Sequence, residues 1–258
     1  MILSISGKIG SGKDTVGHIM QILIDMPHFS NKAVIEYLDK KDINYSYENK
    51  KFADKLKDIV CLLIGCTREQ LEDQDFKNKE LGEEWWYTYG KIGNVDILVS
   101  YLDMDKEFKN SNNSYIEKLT PRELLQIIGT ECIRDKVHPN AWVNALFADY
   151  KAKWVPTGDS VAEEDVSLEK EYPNWIITDM RFPNELEAIK SRGGITIRVN
   201  RPYTTVVGGN GIPATFSQFH PSETALDNAE FDYTIENNSS IEDLIHTVSL
   251  ILTKEKII

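Results

Sequence analysis

Apolar positions recur along this chain in two alternating periods. Met1 to Ile5 is a short apolar run. Val16, Ile19, Met20 and Leu23 then fall at i, i+3, i+4 and i+7, the stripe of a helix buried on one side, and Met26-Pro27 ends it. A short helix is predicted around Lys32 to Lys41 and a strand over Tyr45–Phe52. Phe52-Ala53-Asp54 leads into another helix, with Asp54 as its cap and Leu56, Ile59, Val60 and Leu63 as its apolar face. Thr67 to Glu72 has the composition of a short capped helix.

Residues 66–118 break this rhythm. They hold an aromatic cluster, Trp85-Trp86-Tyr87, and a polar stretch that predicts a loop near 109–115. Three adjacent aromatics cannot all face one core, so a base-stacking surface competes there with ordinary packing. At Thr120-Pro121-Arg122-Glu123 a helix starts again, with Thr as cap, Pro at the first position and Glu three residues after the cap. Leu124, Leu125, Ile128 and Cys132 are expected to face the core. A second helix runs from Pro139-Asn140 through Trp142, Leu146 and Tyr150, and the charged residues 151–173 are expected to be an irregular surface excursion. Trp175 to Asp179 is a buried strand that ends in an acid. A helix with Leu186 and Ile189 stops at Gly193-Gly194, and Ile195, Ile197 and Val199 make the next strand. Residues 203–219 are expected to form a flexible loop, with a lone His220 after it that is more simply structural. Phe231 to Ile235 is the last strand, and Ser239-Ser240 caps an amphipathic final helix. Strands alternating with helices imply an α/β fold, a parallel sheet with helices on both faces. The expected organisation is a single domain over 1–258, with an insertion at about 66–118 and the flexible loop at about 203–219.

Composition narrows the class. At 258 residues and 41% hydrophobic the chain suffices for one large core. It has no apolar run of membrane-spanning length and opens directly on its first strand without a basic leader, so a soluble, cytoplasmic protein is expected. Cys61, Cys66 and Cys132 have neither disulfide nor zinc spacing and are expected to be small core residues. A net charge of −12 argues against a protein that coats nucleic acid. Any anion must be met by local cations, for which Lys8, Lys13, Arg122, Arg134, Arg181 and Arg201 are the candidates.

The chemistry lies where the first strand meets the first helix. Ser6 to Thr15 reads Ser-Gly-Lys-Ile-Gly-Ser-Gly-Lys-Asp-Thr, a glycine-rich turn between strand and helix, as a phosphate-binding loop requires. Gly7, Gly10 and Gly12 let the backbone approach a ligand, and the loop from Gly7 through Lys8 and Ser11 to Thr15 turns its amides toward phosphate oxygens. Lys13 would reach the β- and γ-phosphates of ATP. Asp14 stands where the general motif has the Ser or Thr that binds Mg2+. Either Thr15 takes that role or Asp14 acts through water. Asp179 is a second magnesium candidate, because ligands of open parallel sheets sit at the carboxyl ends of strands; the alternative is a helix cap. Arg181 could neutralise transferring phosphate. Glu123, Gln126, Thr130 and Arg134 share one side of a helix; with Gly129 allowing close approach, they look like a ligand-facing wall.

An ordered set of such pieces resembles the bacteriophage deoxynucleoside monophosphate kinases, a branch of the P-loop nucleoside monophosphate kinases. The pieces are Gly12-Lys13-Asp14-Thr15, Phe52-Ala53-Asp54, Arg122 through Gln126 to Thr130, Asp179-Met180-Arg181, Gly193-Gly194, Arg201-Pro202 and His220-Pro221-Ser222-Glu223. The resemblance implies a three-layer P-loop kinase fold and transfer of the ATP γ-phosphoryl group to a deoxynucleoside 5′-monophosphate. Lys13, Asp179 and Arg181 would be catalytic. Thr15, Asp14 and Asp179 would surround Mg2+, and Arg122, Gln126, Thr130 and Arg134 would hold the monophosphate. The partners implied are small-molecule nucleotides, with neither nucleic acid nor membrane, in the host cytoplasm if the chain is phage-encoded. The final helix or the aromatic insertion could support a homodimer.

The nearest rival is a P-loop kinase for dephospho-coenzyme A, a nucleoside or phosphomevalonate, which needs the same loop and a different acceptor pocket. A nucleotide-binding switch would want a water-positioning residue and a partner surface, and neither is present as a motif.

Overall fold

The computed structural model describes residues 1–40, 43–92, 95–104, 116–157, 167–202 and 221–258. The flexible loop expected at 203–219, the loop near 109–115 and His220 lie outside them. The chain divides into two compact units, Met1–Phe52 with Val143–Ile258, and Ala53–Trp142.

The first unit begins with strand β1 (Ile2–Ser6), helix α1 (Lys13–Asp25), helix α2 (Asn31–Leu38) and strand β2 (Glu48–Lys50). Every residue of β1 is buried, as a strand covered on both faces requires. Helix α1 buries Val16, Ile19, Met20 and Leu23, the stripe its spacing predicts. The strand expected over Tyr45–Phe52 is shorter than its pattern suggests, since only Glu48–Lys50 pairs with a neighbour.

The second unit contains helices α3 (Asp54–Ile64), α4 (Arg68–Glu72) and α5 (Gln74–Asn78), then a 3-10 turn at Glu83–Trp85. Strands β3 (Trp86–Ile92), β4 (Val95–Ser100) and β5 (Glu117–Lys118) form an antiparallel sheet in the order β4-β3-β5. Helix α6 (Pro121–Gln126) follows. Thr120 caps its helix with the reciprocal bond expected, Glu123 reaching back to the cap amide at 2.9 Å, and Thr67 caps its short helix in the same way, Gln70 reaching back at 2.9 Å.

Four expectations in this unit need correction. Asp54 is the first helical residue and not the cap, which is Ala53; Asp54 instead pairs with Arg68 at 2.9 Å. On α3 only Val60 is fully buried, with Leu56, Cys61 and Ile64 packed beside it, while Ile59 and Leu63 are exposed. Apolar spacing identifies a stripe, but the inward side is set by what α3 packs on: Leu71 and Leu124. Beyond Gln126 the helix widens into a π-helix, Ile127–Val137, closed by bonds such as His138 N to Ile133 O at 3.0 Å. The 3.6-residue period therefore fails there, and Cys132 is exposed rather than in the core. Gly129 does allow a close approach, but of Leu56: a Cβ would lie 2.7 Å from Leu56 Cδ2.

The aromatic cluster packs in the ordinary way. Trp85 joins the core of this unit, Trp86 Nε1 donates to Leu81 O at 2.9 Å, and Tyr87 meets Tyr89 edge to face. Half-buried Cys61 and Cys66 lie Sγ to Sγ at 3.7 Å, and burial first, then Cys61, pushes the Cys66 thiol up to about 11.

Helix α7 (Ala141–Phe147) starts at the end of the second unit, the first unit resumes at Val143, and strands β6 (Lys153–Thr157) and β7 (Ser167–Glu171) follow. The expected irregular excursion is thus partly an antiparallel ribbon, with Lys153 opposite Glu171 and Trp154 opposite Lys170. Trp154 and Leu168, apolar residues of the ribbon, are both exposed, so they mark no buried face in the sequence. Strand β8 (Trp175–Met180), helix α8 (Pro183–Lys190), strand β9 (Ile195–Asn200), the short helix α9 (Pro221–Thr224), strand β10 (Tyr233–Glu236) and helix α10 (Ile241–Lys254) complete the chain.

Five parallel strands lie in the order β10-β9-β1-β8-β2. Leu3, Ile5, Ile176, Ile197 and Val199 pack with α1 and α10 on one face; Ile2, Trp175, Ile177 and Ile189 belong to the core of the other. This is the three-layer α/β arrangement of a P-loop kinase. The chain first builds the sheet on one side of β1, then crosses to the other. The carboxyl end of β1 lies at that reversal, where open parallel sheets bind ligands. Among the described residues no helix is long and apolar enough to cross a membrane.

Candidate active site

The loop after β1 has the backbone of an anion cradle. Gly10 and Gly12 have φ of 76° and 90°, left-handed values that cost a side-chain-bearing residue dearly. A Cβ on Gly7 would meet Val199 O at 2.7 Å, so β9 presses the loop from below. Ser11 N donates to Lys8 O at 3.1 Å to close the turn, and Asn237 Nδ2 donates to Ser11 O at 2.8 Å. The Ser11 hydroxyl is buried and has no hydrogen-bond partner among the described residues, a polar atom in want of one.

Lys13 opens α1 and is only 9% exposed. Burial, and next the positive charge of Arg181, push its pKa below the ordinary lysine value; Asp14, Glu223 and Asp179 oppose them. Two cations that disfavour one another here form a site suited to a strong anion.

Asp14 Oδ1 lies 2.8 Å from Lys51 Nζ and accepts the Thr178 hydroxyl at 2.8 Å. Burial raises the pKa of this carboxyl, but Lys51, Thr178 and Lys13 together hold it below the usual carboxylate value. Asp179 Oδ1 accepts the Phe52 amide at 2.8 Å. Glu185 reaches back from the first turn of α8, its Oε2 accepting Arg181 N at 2.7 Å and Phe182 N at 3.1 Å. Thr15 is half-buried in the first turn of α1. Among the described residues no cluster of three His, Cys, Asp or Glu side chains could hold a metal alone. Oxygens at Asp14, Thr15 and Asp179 suit a hard cation that keeps several waters and binds substrate phosphates.

Gly7, Lys8, Gly10, Ser11, Gly12, Lys13, Asp14 and Thr15 thus form one loop and helix start, and Asp179 and Arg181 belong to the same unit. Matches to known proteins agree with this architecture. The model of the family described as deoxynucleotide monophosphate kinase matches residues 1–248. The chain belongs to the deoxynucleotide monophosphate kinase family. An Escherichia phage T5 protein named deoxynucleoside-5′-monophosphate kinase is 24% identical over 253 residues, covering 88% of this chain and 85% of the relative. A protein of Acanthamoeba polyphaga mimivirus, provisionally named a deoxynucleotide monophosphate kinase, is 30% identical over 128 residues, 48% of this chain and 56% of its own length.

In this kinase the acceptor-side candidates, Arg122, Gln126, Thr130 and Arg134, all lie in the second unit. Arg122 ties α6 to α5, its Nε 2.8 Å from Asn78 Oδ1 and its Nη2 2.8 Å from Gln74 Oε1. Glu123, the first member of the expected wall, is taken up by the capping box. Gln126 is exposed at the end of α6, and Thr130 and Arg134 are half-buried on the π-helix. Lys57 and Lys77 pair with Glu72 at 2.6 and 3.4 Å.

Sequence reasoning missed three residues that hold the loop, Lys51, Asn237 and Asp227, and named a fourth, Glu223, only within the piece His220-Pro221-Ser222-Glu223, without a role. Glu223 accepts Ile9 N at 2.9 Å and pairs with Arg181. Asp227 accepts from Lys8 Nζ at 3.0 Å and from Arg198 Nη2 at 2.9 Å. Two acids four apart, just past a glycine-rich stretch, are the one local signal available. Their partners are more than two hundred residues away in Lys8 and Ile9.

Proposed function

We propose that the kinase transfers the γ-phosphoryl group of ATP, with Mg2+, to a deoxynucleoside 5′-monophosphate and releases the diphosphate and ADP. The observation that carries this reading is Lys13, buried at the mouth of a left-handed glycine loop with Arg181 pressing on its charge. Family membership names the acceptor class.

Little covalent chemistry is required of the protein, because the acceptor phosphate is already a nucleophilic anion. Lys13, the Ser11 hydroxyl and the loop amides hold the donor phosphates. Arg181 offsets charge on the group in flight. Asp14, Thr15 and Asp179 would hold a magnesium ion, which would supply positive charge to stabilise the donor phosphates. Arg122, Gln126, Thr130 and Arg134 hold the acceptor monophosphate, an assignment that rests on their pattern in the sequence. The chain works as a single P-loop kinase domain in which 66–118 is an insertion. Its partners are nucleotides, not nucleic acid or membrane, and the reaction runs in the cytoplasm, that of the host if the chain is phage-encoded.

The test is ADP release from ATP and magnesium against a panel of deoxy- and ribonucleoside monophosphates, with direct detection of the diphosphate. Product from at least one deoxynucleotide is expected. ADP release without a phosphorylated nucleotide would make the protein an ATPase, and turnover with only dephospho-coenzyme A or a nucleoside would replace the acceptor.

A further inference from the structure

We propose that Glu223 is a positioning residue for phosphoryl transfer, one that holds the Arg181 guanidinium against the rim of the phosphate-binding loop. The inference rests on the kinase reading and extends it to a residue that touches no reacting atom.

The Glu223 side chain is 5% exposed. A carboxylate so deeply buried is costly unless it is paired and hydrogen-bonded. Glu223 meets both conditions with different parts of the site. Oε2 accepts the Ile9 amide at 2.9 Å, at the outer edge of the loop. Oε1 pairs with Arg181 Nη1. The same carboxylate acts on Lys13, opposing the fall in pKa that burial and Arg181 produce. One negative charge therefore lies among the loop backbone and the two cations assigned to the transferring phosphate.

The far end of Arg181 is fixed as well, by its own amide donating to Glu185 Oε2 at 2.7 Å. An arginine is a long chain with about 2 kcal/mol of rotamer entropy, so a backbone anchor alone leaves its head group poorly placed. Glu223 supplies the second anchor. Pinning Nη1 engages one arm of a five-donor fork and orients the rest of the plane. Asp227, one turn further on, does the same for the neighbouring cations by joining Lys8 to Arg198. The stretch from Glu223 to Asp227 thus grips the rim at two successive points, Lys8 and Ile9.

The test is Glu223→Gln in the full chain, with Arg181→Ala and the double variant. Glutamine keeps the shape and an oxygen for the Ile9 amide, and in place of the second acceptor and the charge it turns an amide N–H2 toward Arg181. Turnover should fall about 10- to 100-fold, the scale of a misplaced catalytic group, with the ATP KM changed less than about threefold. The double variant should be no slower than Arg181→Ala, because a residue that acts through Arg181 has nothing left to act on. A purely structural residue would not give that non-additivity. In parallel, the Arg181 Nε–H nuclear magnetic resonance signal, identified by its loss in Arg181→Ala, should move in Glu223→Gln while the melting temperature stays put. Wild-type turnover in Glu223→Gln, or losses that multiply in the double variant, would overturn the proposal. A wild-type protein that forms no diphosphate would fail the kinase reading itself. The resonance arm then decides the pairing alone, and an unmoved Arg181 signal overturns it.

Discussion

The loop at Gly7–Thr15 and the helix from Thr120 to Val137 both carry polar residues at informative spacing, yet the structure treats them differently. In the loop the expected geometry is present: two glycines are left-handed, Ser11 is turned inward, and Lys13 is buried at the start of α1. In the helix the cap is as expected, but the pitch changes after Gln126, Glu123 serves the cap, and Gly129 makes room for Leu56. The loop signal concerns the backbone itself, since only glycine adopts those angles cheaply. The helix signal assumes a constant 3.6-residue turn and then asks which side faces a ligand. Both depend on neighbours distant in sequence.

The largest effect separating the two regions is expected from Lys13→Ala. Turnover should fall about a thousandfold, the upper range for removal of one transition-state donor, with the melting temperature unchanged or slightly raised because a buried ammonium is lost. Near-normal turnover would remove the loop from the site. Asp179→Asn should come next. Asparagine still offers the Phe52 amide an acceptor, so the fold should hold while the magnesium concentration for half-maximal activity rises about tenfold. A magnesium titration that does not move would leave Asp179 as an anchor for Phe52 alone.

Arg134→Ala tests the other region. The acceptor KM should rise about tenfold, the scale of one charged hydrogen bond, with the ATP KM constant. A selective ATP defect would move Arg134 to the donor side. The smallest effect is a pH dependence. Burial and Arg181 lower the Lys13 pKa from 10.5. Bound phosphate favours the ammonium and raises it again. ATP binding therefore takes up a proton between the two values, and affinity should fall as pH rises through that window, by at most about tenfold per pH unit. Calorimetric titrations in two buffers of different ionisation enthalpy would show the uptake, and its absence would mean that Lys13 stays charged throughout.

Much of the fold was legible because its signals are local. The stripes of α1 and α10, the buried runs of β1 and β8, the capping box at Thr120 and the Gly193-Gly194 stop all lie where their residues predict. What escaped was structure whose apolar residues mark no single buried face. The ribbon of β6 and β7 exposes Trp154 and Leu168, so these apolar residues mark no buried face in the sequence. Helix α3 carries apolar residues on more than one side, Leu62 being 84% exposed, so its pattern could not choose the inward one.

The phosphate-binding loop, its lysine, the strand–helix alternation and the family can all be read from the residues in order. These follow from chain stiffness, glycine's freedom and a short-range apolar period, each contained within one turn or strand. Only the tertiary structure decided which charges stand together. Glu223 meets Ile9 and Arg181, Asp227 meets Lys8, and Lys51 meets Asp14 because parallel strands deliver distant segments to one rim. Electrostatic partnership depends on distance in space, and an acid at position 223 carries no local mark of the cation at position 181 that it will hold.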